Sequence, residues 1–214
     1  MIVITVVDAH TTDRNHAVMF KTKLITTAAT ILLFVSATGA SAQAFGIEKG
    51  TPIENLEVVR EISEFEFSVI VPKPHSEFES YTVFAAPEVG VCQVIGIGKD
   101  HDNDRYGSSV KSAFADLSSA LTGIYGASKN YDFIKNGALW DGPEEWVMAL
   151  RQNERHLATF WTEDQQSELP EGLEGVSLSV SALSSDLAYI LLGYEFDNMD
   201  ECIRIRDNQD QGGL

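Results

Sequence analysis

Asp100-His101-Asp102-Asn103-Asp104 sets carboxylates at the first, third and fifth positions of a polar stretch. Hard oxygen ligands at that spacing open a calcium-binding loop. The stretch does not continue as one, because its sixth position is Arg105 rather than Gly and its twelfth is Lys111 rather than Glu. A cation at the closing ligand position opposes the chemistry. Asp100, Asp102 and Asp104 therefore read as a solvated turn before a helix, with Asp104 or Ser108 helping the helix N-terminus. No metal is assigned to them, and an irregular cation site is the alternative.

Ser108-Ser109-Val110-Lys111 has the Ser-x-x-Lys spacing of penicillin-recognising serine enzymes, in which Lys helps activate a Ser at a helix start. The companion Ser-Asp-Asn and Lys-Thr-Gly elements are missing, so no nucleophile is assigned. Gly96-Ile97-Gly98-Lys99 invites a phosphate loop, but Gln93 stands where an earlier Gly belongs and Asp100 where Ser or Thr would touch magnesium. These glycines read instead as a strand end or close backbone packing. His75, His101 and His156 lie in no His-Glu-x-x-His pattern, and no Gly-x-Ser-x-Gly elbow supplies a hydrolase serine. His75 stands near Glu77 and Glu79 and would suit acid–base work, yet a surface loop histidine is the plainer reading. Trp140, Trp146, Phe160 and Trp161 could line a cleft, but their spacing fits ordinary core burial. No catalytic residue and no cofactor is assigned.

The compartment is more legible than the chemistry. From Met19 a short basic stretch, an uncharged run of 16 residues from Leu24 to Gly39, and Ala40-Ser41-Ala42-Gln43-Ala44 follow one another. These are the three parts of a secretory signal, over 19–42, and the run is shorter than the roughly 20 residues of a spanning helix. Ala40-x-Ala42 and Ala42-x-Ala44 both fit the cleavage pattern. Residues 1–18 carry Asp8, His10, Asp13 and His16, unlike such a signal, and read as an over-extended start. After cleavage no stable membrane anchor is expected. The chain has 15 Lys and Arg against 32 Asp and Glu. Residues 1–42 hold three of the basic and two of the acidic ones, which leaves 12 against 30 from Gln43 onward, a net −18. That balance excludes nucleic acid as a partner, because phosphate binding needs a basic face. Cys92 and Cys202 are the two cysteines, and in an oxidising compartment they most simply pair. Two buried free thiols are the alternative.

Periodicity then supplies the scaffold over 43–206. Thr51-Pro52 opens a short helix reaching Val59. Phe65 to Val71 alternates as a half-buried strand, and Tyr81–Ala86 with Val89–Gly98 forms a hairpin about Pro87-Glu88, its second strand central. Val110, Phe114, Leu117, Leu121 and Ile124 mark a helix that Gly126 ends, and a further helix starts at Pro143. Strands follow at His156–Thr162, Val176–Ala182 and Leu187–Phe196, the middle one showing one side to water. The tail 207–214 has nothing to bury and is expected to be disordered. The sum is an α+β domain with a mostly antiparallel sheet of about six strands and three helices.

Phe45-Gly46-Ile47-x-x-Gly50-Thr51-Pro52-x-x-x-Leu56 resembles the opening of small exported α+β modules. Those include the β-lactamase-inhibitor-protein-like group and the outer-membrane-assembly lipoprotein group, whose lipobox Cys is missing here. Val71 to Tyr81 with Gly90 to Asp100 is similar to uncharacterised exported bacterial proteins. The expectation is an exported periplasmic or secreted interaction module, non-catalytic, that binds an envelope or extracellular protein. A small exported hydrolase or metal-dependent enzyme using His75, or Asp100 to Asp104, is the alternative.

Overall fold

Alternating apolar and polar residues make strands, and here nearly all of them enter one sheet. The computed structural model describes residues 42–212, with side chains to Gln209. The expected start at 1–18 and signal at 19–42 lie outside the described residues, except for Ala42. A two-stranded hairpin comes first, β1 (Gln43–Ala44) with β2 (Ile47–Glu48). Then β3 (Glu57–Glu61), β4 (Glu66–Ile70), β5 (Phe78–Ala86) and β6 (Gly90–Gly98) form an antiparallel meander. Helix α1 (Ser108–Tyr125) leads to β7 (Lys129–Ile134), and α2 (Trp146–Arg151) leads to β8 (Arg155–Thr162). Strands β9 (Leu173–Ala182) and β10 (Ala188–Phe196) and helix α3 (Met199–Gly212) follow.

The main sheet has eight strands in the order β3-β4-β5-β6-β10-β9-β8-β7, every neighbouring pair antiparallel. Two four-stranded meanders thus meet at their last strands, β6 and β10. The α+β class and antiparallel pairing agree with expectation, and the strand count is larger. Both central strands are flanked on two edges and are mostly apolar or small, with Gln93 and Glu195 the exceptions on the face away from α1.

One face of the sheet carries the core. Val110, Phe114 and Leu121 of α1 and Trp146, Val147 and Leu150 of α2 pack there on Val176, Leu178, Ile190 and Leu192. Each fully buried side chain of this kind contributes roughly 1.5–3 kcal/mol. The β1–β2 hairpin covers the same face farther along, where the Phe45 ring lies 4.7 Å from Tyr81 and 5.4 Å from Tyr194. On the opposite face α3 packs on β5 and β6. Its Cys202 is bonded to Cys92, and both are buried with Phe65, Phe84 and Ala86.

Four expectations are corrected. Helical structure after Thr51 is a single 3₁₀ turn at Ile53–Asn55, after which the chain enters β3. The Thr51 hydroxyl donates to the Glu48 carbonyl rather than engaging the turn it precedes. Of the expected disordered tail 207–214, residues 207–212 instead belong to α3, which is anchored by the disulfide and by Met199 and Ile205 on the Phe65–Phe84 cluster. Strand β7 is absent from the expected strands, because as an edge strand it buries little and lacks an apolar run. Ile124, placed on the buried stripe of α1, is 63% exposed at the helix's last turn.

Candidate functional site: the open face of the sheet

The residues of the first chemical interest are held by structure rather than gathered around a reaction centre. The Asp104 carboxylate accepts the backbone N–H of Ser109 at 2.6 Å and its hydroxyl at 2.8 Å, so Asp104 caps the first turn of α1. Burial alone would raise this carboxyl, but the Ser109 and Ser108 hydrogen bonds and the Lys111 charge outweigh it and hold it below its ordinary value. Asp100 and Asp102 are exposed. Among the described residues no group of three His, Cys, Asp or Glu side chains is placed to hold a metal ion.

A shallow cleft of about 570 Å³ lies between α1 and the chain before β5, lined by His75, Glu77, Ser109, Ser112 and Asp116. His101 Nδ1 is 3.2 Å from Ser109 Oγ. Ser109 nevertheless gives its proton to Asp104, which leaves His101 only a donor's role toward it. The cleft's polar side chains are all exposed, with no buried base beside a nucleophile. Lys111 is turned elsewhere, its Nζ 4.6 Å from the Trp146 ring centre, so the Ser108–Lys111 spacing assembles no pair. Trp146 and Trp161 are core residues as expected, but Phe160 is not; it is 38% exposed on the side of the sheet away from α1.

That side holds the most distinctive surface. Strand register sets its side chains in rows across the sheet. One row runs Phe84, Gln93, Glu195, Gly175 and Thr162. The next runs Thr82, Ile95, Gly193, Ser177 and Phe160, ending at Lys129. A third runs Ile97, Leu191, Ser179, Ala158 and Tyr131. With α3 over β5 and β6, the side chains of these rows from β10 to β7 are half-buried or exposed apart from Gly175 and Gly193, which have none. The middle is low because Gly175, Gly193 and the serines of β9 carry little or no side chain. A groove of about 400 Å³ lies there, walled by Phe160, Glu163, Asp164, Glu174 and Glu195.

Toward β7 the surface is aromatic. Tyr131 meets Phe160 edge to face at 5.6 Å, and Phe133 lies 5.0 Å from His156. Lys129 sits 5.1 Å over Tyr131. At the other end, burial raises the Glu195 carboxyl, and the like charges of Glu174 and Asp200 raise it further. Sequence reading singles out Phe160 and the water-facing serine side of β9 from this face, and misses the groove and the aromatic residues of β7. The serine alternation of β9 marks that water-facing side as the strand face that helices do not pack.

Fold and site together define an α+β protein with one large antiparallel sheet, packed by helices on one side and largely bare on the other. The chain matches no protein-family model, no curated protein and no solved structure. No helix of the described residues is long and apolar enough to cross a membrane.

Proposed function

We propose that this is an exported, non-catalytic interaction module that engages an envelope or extracellular protein through the uncovered face of its sheet. The observation that carries the reading is the breadth of that face, from β10 to β7, with Phe160 and Phe133 exposed upon it. Contiguous exposed apolar surface rimmed by polar residues is how association sites differ from ordinary surface. The Cys92–Cys202 disulfide is compatible with export, and the acidic chain with solubility outside the cell.

The test is capture of a partner from envelope extract and spent medium by wild-type chain, Ser179→Tyr and Ser119→Tyr. Ser179 lies in the middle of the open face, and Ser119 on the exposed side of α1. One stoichiometric partner, retained by Ser119→Tyr and lost by Ser179→Tyr, is expected. Equal capture by both variants, or no partner, would overturn the reading.

A small exported hydrolase is the second reading, resting on the cleft between His75 and Ser109. The exposure of its polar groups and the bond from Ser109 to Asp104 favour the interaction module.

A further inference from the structure

The groove on the open face has a charge of its own. Glu163, Asp164, Glu174 and Glu195 wall it, and no Lys or Arg among the described residues lines it. Among the described residues the ion pairs are Lys49–Asp197, Arg155–Asp132, Arg204–Glu201 and Arg206–Asp207, so none of the four groove carboxylates has a cationic partner. None of the four side chains accepts a hydrogen bond from another described residue. Such carboxylates repel one another across a low floor, and the Glu195 carboxyl is raised first by burial and then by the like charges of Glu174 and, outside the groove, Asp200.

The groove also has an aromatic wall and room. Phe160 presents a ring 38% exposed at the end opposite Glu195. A Cβ at Gly193 would come within 2.8 Å of Ser177 Oγ, so only glycine leaves the floor this low beside that hydroxyl. An open groove of this volume, with an exposed ring at one end and carboxylates around it, suits a long side chain with an apolar stem and a cationic head. A neutral sugar would stack on the ring and donate hydroxyls to the carboxylates but leave their charge unneutralised, and nucleic acid would be repelled.

We infer that the partner presents a basic segment, and that one of its Lys or Arg side chains enters the groove over Gly193 and Ser177. The stem lies along Phe160 and the head among Glu163, Asp164, Glu174 and Glu195. This inference rests on the open-face reading above, and adds to it the chemistry of the partner. Association then has an electrostatic component that weakens with salt.

The experiment titrates the full chain with a fluorescent peptide alternating Arg and Ser, and with matched peptides in which Glu or Gly replaces Arg. The Arg peptide is expected to bind, to weaken with added salt, and to lose about tenfold in affinity with Glu174→Gln/Glu195→Gln. The control Glu57→Gln/Glu61→Gln, which removes the same charge from the exposed edge strand β3, should bind as wild type. Equal weakening in both double variants would reduce the effect to net charge and overturn the groove. Failure of the Arg peptide to bind, while a captured partner is still lost by Ser179→Tyr, would sink the basic segment and leave the open face standing. Failure of both would remove both.

Discussion

Cys92 on β6 and Cys202 in the first turns of α3 are bonded across 110 positions of sequence, their Cα atoms 6.5 Å apart. The bond fastens the helix that covers part of the open side of the sheet, and therefore decides where the uncovered surface begins. In the chain-entropy account a cross-link closing a loop of that length contributes about 4–5 kcal/mol. Cys92→Ala/Cys202→Ala should lower the unfolding free energy by a large part of that amount. Denaturant melts of the oxidised chain, with and without reductant, check it. Reductant should lower the wild-type midpoint and leave the double variant unmoved.

Gly107 precedes α1 with a φ of +66°, and a Cβ there would overlap the Trp146 ring at Cε3. Gly107→Ala meets both a left-handed backbone and the face of a buried indole. A loss of about 3 kcal/mol is expected from strain and overpacking together. Thermal melts followed by Trp fluorescence report both the stability and the displacement of the ring.

Removing the Asp104 carboxylate should cost about 1 kcal/mol, as for the loss of an N-terminal cap. The pH dependence has a definite sign. A carboxyl held below its ordinary 3.8 in the folded chain contributes its full stability above that value. The contribution fades as pH falls from there through the lowered folded value. The gap between wild type and Asp104→Ala in urea melts should therefore be constant near neutrality and narrow below about 3.8.

Glu195 has the opposite sign. Its carboxyl is raised above the ordinary 4.5 by burial first, then by Glu174 and Asp200. Ionised Glu195 thus costs stability above its folded value, and the cost is relieved as pH falls through that value toward 4.5. Because the side chain is half-exposed, solvent screens much of the effect. Glu195→Gln should stabilise the chain near neutral pH by less than about 1 kcal/mol, with the gain gone below 4.5. A variant less stable than wild type at neutral pH would contradict this account.

The two cleavage patterns at the expected leader differ in what they would remove. Cleavage after Ala44 would delete β1, whose Ala44 is 1% exposed and whose Gln43 side chain accepts from Lys73 Nζ at 2.9 Å. Cleavage after Ala42 keeps that hairpin. On the export reading, the intact mass of the processed chain is therefore expected to correspond to a start at Gln43, and a start at Phe45 would show that the hairpin is dispensable.

Much of this architecture is local in origin and legible as such. The alternation of β9, the stripe from Val110 to Leu121, the Pro87-Glu88 turn and the 3₁₀ turn at Pro143–Glu145 that leads into α2 arise from neighbours in sequence, whose spacing alone sets which side is apolar. Pairing of Cys92 with Cys202 follows from their number and the expected compartment. What local pattern could not carry was decided by contacts far apart in the chain. Helix α3 has a polar sequence and gains its anchor from Phe65, Phe84 and Cys92. Strand β7 gains its place from hydrogen bonds to β8, which no periodicity records. The groove is the clearest case. Glu163, Glu174 and Glu195 lie on or just beyond three different strands, and only the register of β8, β9 and β10 brings them around Gly193. Spacing along a chain determines faces, whereas the order of strands in a sheet depends on which distant faces bury best against each other, and so only the tertiary structure set this surface.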